Sequence, residues 1–450
     1  MKRYMLALLC AVFGTVSTAQ AVPLDDAAAT ATSTSPSTSL PVPGAADEER
    51  AGTLVEATSI GGGASRIRYL TTLEDGSLAE VSGAVFAPTG TWIGEGPAPT
   101  VVFAPGTRGM ADHCAASRGP GMRGQFAPLM SSLGINYERP FYKQFTDLGM
   151  RLVVTDYVGL GTPGVHSYVN RVEQGHAVLD AARAVSVGEP VGFFGYSQGG
   201  GAVAAAAELA SEYAPELDLR ATFAGAPPAD LRALLSGDSL GPVLAYAVVG
   251  LSARNPEFAA AVAPYFNGLG RFWLWENSHS CIVDSFILWG AVRPESLTNS
   301  DLTMAEFIDS EPEVARVLDA QKLGRVAPRG AILVGTAPDD VQIGHEQALQ
   351  LAMDYRALGA DVTTLAQTGS AFSSRTAGGH VSGFFGQIDQ AVAWLYTQLS
   401  APTGTPVVST TPVTSAPATS VPAISTPAPT ASSSTPEPTP LPTTTPSAVR

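Results

Sequence analysis

Short apolar runs that alternate with helical patterns constrain the fold of this chain more than any other feature of its sequence. Runs at residues 100–104, 151–155 and 191–194 are each followed directly by Pro, Asp or Gly, which is typical of strands buried on both faces. Residues 66–73 and 78–86 are a predicted strand pair around Asp75-Gly76. The alternation predicts an α/β fold with a mostly parallel central sheet and helices on both faces. The remaining predicted elements are strands at 219–223, 331–334 and 361–365 and helices at 175–185, 201–213, 346–358 and 388–399.

Residues 229–321 interrupt this alternation. The stretch contains helical patterns at 242–253, 281–289 and 304–318 but no pattern typical of a parallel strand, and it holds three of the five tryptophans. It follows the end of a predicted strand and would therefore lie at the carboxyl edge of the sheet, where open α/β sheets place their sites. We expect an inserted helical cap over that edge.

The amino-terminal sequence is typical of an export signal. Lys2 and Arg3 precede an apolar run at residues 5–16 that is too short to span a bilayer, and Ala19-Gln20-Ala21 fits a cleavage site. We expect residues 1–21 to be a signal peptide, residues 22–50 to be a disordered Ala/Ser/Thr/Pro-rich linker, and the mature protein to be secreted. No later run predicts a transmembrane helix.

The carboxyl-terminal segment has the composition of an unfolded stalk. Pro, Thr and Ser occupy 33 of the 50 positions in residues 401–450. Such a segment buries too little apolar surface to offset the entropy of ordering, so we expect a disordered tail after a folded domain at residues 51–400. The tail is a candidate for association with the cell wall.

The charge of the chain excludes one class of partner. The net charge is −15, and only 14% of the residues are charged. Binding to nucleic acid relies on clustered Lys and Arg that displace counterions from phosphates. We therefore expect no nucleic-acid partner.

Two cysteines are expected in the mature protein. Cys10 lies in the predicted signal peptide, which leaves Cys114 and Cys281. In an exported chain two cysteines most simply form one disulfide, and two separate buried thiols are the alternative.

The pattern Gly-x-Ser-x-Gly, typical of a nucleophilic serine on a sharp strand-to-helix turn, occurs twice. Gly195-Tyr196-Ser197-Gln198-Gly199 follows a predicted strand and precedes a predicted helix. Gly237-Asp238-Ser239-Leu240-Gly241 follows a helical pattern, and Pro242 comes directly after it. We predict that Ser197 is the nucleophile and that Ser239 lies in a coincidental turn of the cap.

A nucleophilic serine needs a histidine that accepts its proton and an acid that orients the histidine. In this type of fold the three occur in the order Ser, Asp or Glu, His. Of six histidines, His380 lies in a Gly-rich segment between the last predicted strand and the last predicted helix, where a loop can bring it to Ser197. Asp339 and Asp340 both follow the strand at 331–334. Spacing does not decide between them; we favour Asp339, with Asp340 as the alternative.

The oxyanion that forms during acyl transfer is stabilised by backbone N–H groups. The residue after the nucleophile, Gln198, supplies one of them. The loop Pro105-Gly106-Thr107-Arg108-Gly109, which follows the strand at 100–104, is expected to supply the other. We predict Thr107, with Arg108 as the alternative.

These segments resemble the secretory lipase family of the α/β-hydrolase superfamily, the fungal lipase A type and its actinobacterial relatives. The resemblance covers roughly residues 56–399. It implies an α/β-hydrolase fold with a helical cap (lid), hydrolysis of carboxylic esters including triacylglycerols, and no cofactor. It also implies Asp339 as the acid and a disulfide from Cys114 to Cys281 in the cap. The segments that carry it are Gly195-Tyr196-Ser197-Gln198-Gly199-Gly200, Pro338-Asp339-Asp340, Gly379-His380, Cys114-Ala115, and Asp156-Tyr157-Val158-Gly159-Leu160-Gly161 followed by His166.

The predicted function is that of an exported serine ester hydrolase, most simply a lipase that acts through an acyl-serine intermediate. The aromatic cap is the part expected to contact a lipid surface transiently. Two alternatives stay open. One is an acyltransferase, since water and an alcohol attack the same acyl-enzyme, and the other is a catalytically silent lipid-binding or cell-surface module. None of the three involves a metal or a cofactor.

Overall fold

The computed structural model describes residues 50–118, 122–127, 130–236, 241–367 and 377–401. These ranges cover most of the predicted folded domain. The predicted signal peptide, the linker up to residue 49, Ser239 and the tail from residue 402 lie outside the described residues.

A mixed sheet of nine strands forms the centre of the described fold, and two further strands pair as a separate hairpin. The strands are β1 (Leu54–Gly61), β2 (Ala64–Thr72), β3 (Leu78–Phe86), β4 (Thr100–Ala104), β5 (Met122–Ala127), β6 (Met130–Ile135), β7 (Arg151–Thr155), β8 (Val191–Tyr196), β9 (Leu219–Gly225), β10 (Ala331–Thr336) and β11 (Val362–Ala366). The order in the sheet is β1-β2-β3-β7-β4-β8-β9-β10-β11. Neighbours are antiparallel from β1 to β7 and parallel from β7 to β11.

Helices surround this sheet and fill the interval between β9 and β10. The α-helices of the described residues are α1 (Tyr142–Asp147), α2 (Arg171–Val185), α3 (Gln198–Tyr213), α4 (Leu231–Leu235), α5 (Pro242–Ser252), α6 (Pro256–Val262), α7 (Gly268–Asn277), α8 (Ile282–Trp289), α9 (Met304–Ser310), α10 (Pro312–Ala320), α11 (His345–Ala357) and α12 (Ala377–Ser400). Of the helices in the described ranges, none has the length and apolar character needed to cross a bilayer.

Burial on both faces explains the apolar sequences of the central strands. Along β7, Val153 contributes to the core cluster that holds α2, α3 and α11, whereas Leu152 and Val154 contribute to the cluster that holds α1 and α12. Because successive side chains of a strand point to opposite faces, the two clusters lie on opposite sides of the sheet. The predicted mostly parallel sheet with helices on both faces is confirmed.

Among the strands, two parts of the fold have no counterpart in the predicted elements. β1 is exposed at seven of its eight positions, so its sequence lacks the apolar run or alternation that marks a buried strand. The β5–β6 hairpin was also not predicted. Both elements lie outside the parallel part of the sheet, where the apolar signal is strong.

The helical insertion has an apolar core of its own. Helices α4 to α10 follow β9 and precede β10, as the sequence predicts. Their shared core includes Tyr246, Phe258, Trp273 and Phe307. The insertion is therefore a packed layer and not a long loop.

A disulfide and a short stretch of backbone pairing join the insertion to the loop after β4. Cys114 and Cys281 form the predicted disulfide. Next to it, the N–H of Met110 donates to the carbonyl oxygen of Ser280 at 3.0 Å. The N–H of Ile282 donates to the carbonyl oxygen of Arg108 at 2.9 Å. We call this junction the cap seam.

Replacing both Cys114 and Cys281 with Ala is expected to lower the free energy of unfolding by about 4–5 kcal/mol. The disulfide connects residues 167 positions apart, so its loss frees a long loop in the unfolded chain. Urea unfolding of the secreted protein measures the effect, and wild type unfolded with and without a reductant is the control that separates loss of the disulfide from the change to Ala. An unchanged unfolding free energy in the double variant contradicts this role of the disulfide.

Candidate active site

Ser197 lies on the turn between β8 and α3. Its backbone has φ 59° and ψ −122°, a conformation that residues other than glycine rarely adopt. Its N–H donates to the carbonyl oxygen of Gly225 at 2.8 Å. Such a conformation costs on the order of 1–3 kcal/mol and persists only where the surrounding structure holds it. A strained serine between a strand and a helix is the geometry of a nucleophile elbow.

The glycines around Ser197 are required by close contacts between backbone segments. A Cβ atom at Gly195 would lie 2.2 Å from the carbonyl oxygen of Gly199. One at Gly199 would lie 1.9 Å from the carbonyl oxygen of Ala104. Larger residues would collide with backbone at both positions, which accounts for the spacing of the motif.

His380 lies beside this turn. The expectation that it belongs to a loop was wrong, since it lies in the first turn of α12. The hydroxyl of Tyr196 donates to the carbonyl oxygen of His380 at 2.9 Å, and the centroids of the two rings are 5.1 Å apart. Because Tyr196 directly precedes Ser197, these contacts hold His380 close to the elbow.

The carboxylate that pairs with His380 belongs to Asp340. Oδ2 of Asp340 lies 2.6 Å from Nδ1 of His380, and Oδ1 accepts the N–H groups of Gln342 at 2.9 Å and Ile343 at 3.1 Å. Burial opposes ionisation of this side chain, but the charge and hydrogen bond of His380 and the two backbone N–H groups outweigh it and lower the pKa of Asp340. Asp340 is therefore ionised at neutral pH, and Nδ1 of His380 is the donor.

Asp339, which the sequence analysis favoured, does not take this position. The chain turns at residues 338–339, where the N–H of Asp340 donates to the carbonyl oxygen of Ala337 at 3.0 Å. The side chain of Asp340 is buried after this turn, whereas Asp339 is only partly buried. The backbone carbonyl of Asp339 packs against α12, 2.1 Å from the point where a Cβ atom of Gly379 would lie. The structure thus corrects the expected pairing from Asp339 to Asp340.

Gln198 is the first residue of α3, so its backbone N–H has no acceptor within the helix. Its side chain is buried, and Nε2 lies 3.0 Å from Nε2 of His166. Nδ1 of His166 lies 3.0 Å from the carbonyl oxygen of Val158. Burial lowers the pKa of His166 to about 4. His166 is therefore neutral, donates from Nδ1 and accepts the Gln198 side chain at Nε2, which restrains the residue next to Ser197.

Thr107 lies in the loop after β4 that approaches this turn. Its hydroxyl is 2.6 Å from the hydroxyl of Tyr168, and its carbonyl oxygen accepts the hydroxyl of Tyr137 at 3.1 Å. The hydroxyl of Tyr157 donates to the carbonyl oxygen of Pro105 at 2.7 Å. Two tyrosines therefore hold Thr107 directly, and a third holds Pro105 of the same loop.

A buried ion pair that the sequence analysis did not single out joins this loop to Glu138, which follows β6. Oε1 of Glu138 accepts the N–H of Gly106 at 3.0 Å, and Oε2 lies 3.9 Å from the guanidinium of Arg108. The guanidinium of Arg108 lies over the Tyr137 ring, 4.8 Å from its centroid. The side chain of Arg108, the alternative second donor, thus contacts the segment after β6.

Asp156 holds the neighbouring loops together. Its carboxylate accepts the hydroxyl of Ser82 at 2.7 Å and the N–H of Ser117 at 2.9 Å. The side chain is fully buried, and burial raises its pKa. These contacts connect β3, β7 and the segment after Cys114, which explains an acidic residue at this position without a chemical role.

In the described part of the chain, one cluster has the spacing of metal ligands, and it consists of His113, Cys114 and Cys281. Both sulfur atoms of this cluster belong to the disulfide. Zinc is bound by thiolates and not by disulfide sulfur, so the imidazole of His113 is the one group of this cluster that can act as a metal ligand.

The sequence model of the secretory lipase family matches residues 125–406, which is more than half of the chain. The chain belongs to the secretory lipase family. The match includes Ser197, Asp340 and His380, and the resemblance inferred from the motifs is confirmed.

Two curated proteins are similar to this member of the secretory lipase family. The chain is 34% identical over 202 residues to a "Probable inactive lipase" of Mycobacterium tuberculosis, a match that covers 42% of this chain and 45% of that protein. It is 26% identical over 255 residues to a secreted triacylglycerol lipase of Malassezia furfur, covering 54% of this chain and 53% of that protein. The chain thus spans about half the length of the curated relatives it matches.

The fold is similar to those of solved lipase and esterase structures. Candida antarctica lipase A in its closed state matches with a TM-score of 0.60 and 19% identity, over 77% of this chain and 83% of that chain. The rice cell wall degrading esterase LipA from Xanthomonas oryzae matches with a TM-score of 0.60 and 18% identity, over 76% of this chain and 97% of that chain. The fold of this secretory lipase family member is the α/β-hydrolase fold.

Proposed function

We propose that this protein is an exported serine ester hydrolase, most simply a lipase that cleaves triacylglycerols or related acyl esters. The observation that carries the proposal is the pair of Asp340 and His380, 2.6 Å apart, beside the strained turn at Ser197. A serine, a carboxylate and a histidine in this chain order are the groups that acyl transfer requires.

In the proposed reaction, the hydroxyl of Ser197 attacks the ester carbonyl while Nε2 of His380 accepts its proton. Asp340 stays ionised, accepts the hydrogen bond from the Nδ1–H group of His380 and stabilises the imidazolium that forms. His380 then gives the proton to the departing alcohol. Water, which His380 deprotonates in turn, cleaves the acyl-serine and restores the enzyme, so the products are an acid and an alcohol.

The negative oxygen of the tetrahedral intermediate would be stabilised by two backbone N–H groups. Gln198 supplies the first, since the amide at the start of α3 has no helical acceptor. For the second we propose Thr107, and we assign its fixed orientation to Tyr137 and Tyr168. Removal of one such donor costs about 10²–10³-fold in kcat in a related type of site.

An exposed apolar face on the cap supports a lipid substrate. Leu269, Phe272 and Trp275 recur every three residues on α7, and each is about half exposed. The Phe272 ring lies 5.8 Å from that of Trp275 and 6.1 Å from that of Trp289. Aromatic side chains on an exposed helix favour the boundary between water and lipid. We propose that this face contacts the lipid surface transiently.

The family and the secreted Malassezia furfur relative support export of this protein. We propose that residues 1–21 are removed as a signal peptide and that residues 51–400 form the catalytic domain, with the cap at 229–321. Association with the cell wall through residues 401–450 is a further part of the proposal.

The test combines active-site labelling with a series of p-nitrophenyl esters from C2 to C18, both on the full-length secreted protein. We expect a fluorophosphonate probe to label Ser197 and the kcat/KM to rise from C2 toward longer acyl chains, because the cap presents apolar surface. Addition of an alcohol acceptor separates hydrolysis from acyl transfer, since only the latter forms a new ester. Absence of both labelling and turnover contradicts the proposed function.

The second candidate is a catalytically silent lipid-binding scaffold. Similarity to a "Probable inactive lipase" is the observation that favours it. The ionised Asp340 and its hydrogen bond to His380 are arranged for catalysis and have no evident use in a silent protein. Labelling of Ser197 by the probe separates the two candidates.

A further inference from the structure

Glu138 is a buried carboxylate that lies outside the proposed triad. It follows the β5–β6 hairpin and precedes α1, and it is only 1% exposed. A charged side chain in such a place is costly unless it is paired. Both of its partners, Gly106 and Arg108, belong to the loop that carries Thr107.

The two contacts of Glu138 lie on either side of Thr107. Oε1 accepts the N–H of Gly106 at 3.0 Å. Oε2 is 3.9 Å from the guanidinium of Arg108, which exceeds hydrogen-bond distance, so this contact acts between charges. One carboxylate therefore restrains the residue before Thr107 through a hydrogen bond and the residue after it through electrostatic attraction.

We infer that Glu138 is a positioning residue for the reaction, which holds the Thr107 backbone N–H toward the oxyanion through Gly106 and Arg108. This inference rests on the proposed function, because it needs Thr107 to be an oxyanion donor. The orientation of such a donor matters strongly: a displacement of about 1 Å costs about 10²-fold in rate. Glu138 does not touch the substrate, so its effect is on kcat rather than on KM.

The charge of Glu138 is expected to depend on pH near neutrality. Burial raises the pKa of Glu138 to about 7, although Arg108 and the Gly106 N–H oppose the rise. As the pH falls through about 7, the carboxylate gains a proton and loses its attraction to Arg108, so kcat falls. The other ionisable groups that face Glu138 are the buried hydroxyls of Tyr137, Tyr142 and Tyr157.

Ionisation of Glu138, which is expected to raise kcat, is expected to lower the stability of the fold. The pKa of Glu138 lies above the ordinary glutamate value of 4.5, so the folded chain holds this proton more tightly than the unfolded chain. Ionisation of Glu138 therefore lowers stability as the pH rises from about 4.5 to about 7. A gain in activity that accompanies a loss in stability indicates a role in catalysis rather than in folding.

A matched control exists at the opposite edge of the sheet. Glu189 is also buried and pairs with Arg151 at 2.8 Å. Arg151 is the first residue of β7, so this pair lies at the amino ends of the parallel strands, away from Ser197. The control reports what loss of a buried carboxylate does to the protein when the oxyanion loop is not involved.

The experiment compares Glu138→Gln, Glu189→Gln and wild type with p-nitrophenyl esters between pH 5 and 9, and it records thermal unfolding at each pH. We expect Glu138→Gln to lower kcat by about 10–100-fold with KM unchanged, and to lose the part of the pH dependence that Glu138 contributes. We expect Glu189→Gln to keep the kcat and pH profile of wild type. The difference between the unfolding temperatures of wild type and Glu138→Gln is expected to change with pH. As the pH rises from 5 to 8, wild type loses stability relative to the variant.

Glu138→Asp keeps the negative charge, but its side chain is shorter and does not extend to the Gly106 N–H. It replaces Glu138→Gln in the test if that variant does not fold. We expect a reduced kcat with the pH dependence retained. The inference is overturned by wild-type kcat in Glu138→Asp or Glu138→Gln, or by equal losses in Glu138→Gln and Glu189→Gln. Ester turnover that survives Ser197→Ala is a different result, which removes the proposed function and the inference with it.

Discussion

Ser197→Ala is expected to abolish ester hydrolysis and to leave the fold intact. Without the hydroxyl no acyl-serine forms, and kcat should fall by about 10⁶-fold, the effect of removing a nucleophile that acts together with its base. The fold should survive because the Ser197 contact described above, its bond to Gly225, comes from the backbone N–H. The measurement is kcat for a p-nitrophenyl ester, together with the circular dichroism spectrum.

The second match to the serine motif provides the control for this experiment. Ser239→Ala removes a hydroxyl from the same five-residue pattern and should keep the turnover of wild type, because the sequence places it in the cap. Both variants should have the unfolding temperature of wild type to within a few degrees. Turnover in Ser197→Ala above about one part in 10³ of wild type argues for another nucleophile.

Asp340→Asn is expected to lower kcat by about 10⁴-fold, whereas Asp339→Asn should stay within about two-fold of wild type. An amide at position 340 can present its NH₂ group to Nδ1 of His380, which favours the tautomer with the proton on Nε2. That tautomer cannot accept the proton of Ser197. Asp339 contacts α12 through its backbone carbonyl, and substitution of its side chain leaves that contact in place.

The two variants are assayed side by side, and each serves as the control for the other. They differ by one position in the chain and carry the same chemical change, so general effects on folding and charge are matched. The KM for the ester should change little in both, because neither carboxylate is proposed to bind substrate. A larger loss of kcat in Asp339→Asn reverses the assignment.

The parallel part of the fold could be predicted because burial on both faces leaves a strong signal. β4, β7 and β8 are short apolar runs that end at Pro105, Asp156 and the Ser197 turn, and a local pattern suffices to find them. The Ser197 motif is also a local pattern, since its two glycines lie within five residues, although the contact that requires Gly199 is with Ala104 of β4. β1 is exposed along most of its length and shows no such pattern.

The choice between Asp339 and Asp340 depends on which side chain points inward at a turn. Spacings from these two residues to every other motif differ by only one position, which is too little for sequence distance to decide between them. The deciding contacts are the N–H groups of Gln342 and Ile343, which bind the Asp340 carboxylate. An Asp side chain commonly accepts the N–H of the residue two positions later and so stabilises a turn. This tendency is the one sequence signal that could have favoured Asp340.

The support of the oxyanion loop could not be predicted for a different reason. Tyr137, Glu138, Tyr157 and Tyr168 come from segments that are 30 to 61 residues away from the loop positions they contact. No periodicity or spacing in one sequence links such residues. Only the folded chain brings them together around Thr107.

The cap seam has a consequence for attempts to engineer this protein. On one side of the seam, Arg108 lies in the candidate oxyanion loop and Met110 directly follows it; on the other side, Ser280 and Ile282 belong to the cap. Substitutions near residues 280–282 that are chosen to change substrate preference are therefore expected also to displace the loop for which an oxyanion role is proposed. We expect that substrate selectivity can be changed without a change in rate only at cap positions far from this junction, such as those on the exposed face of α7.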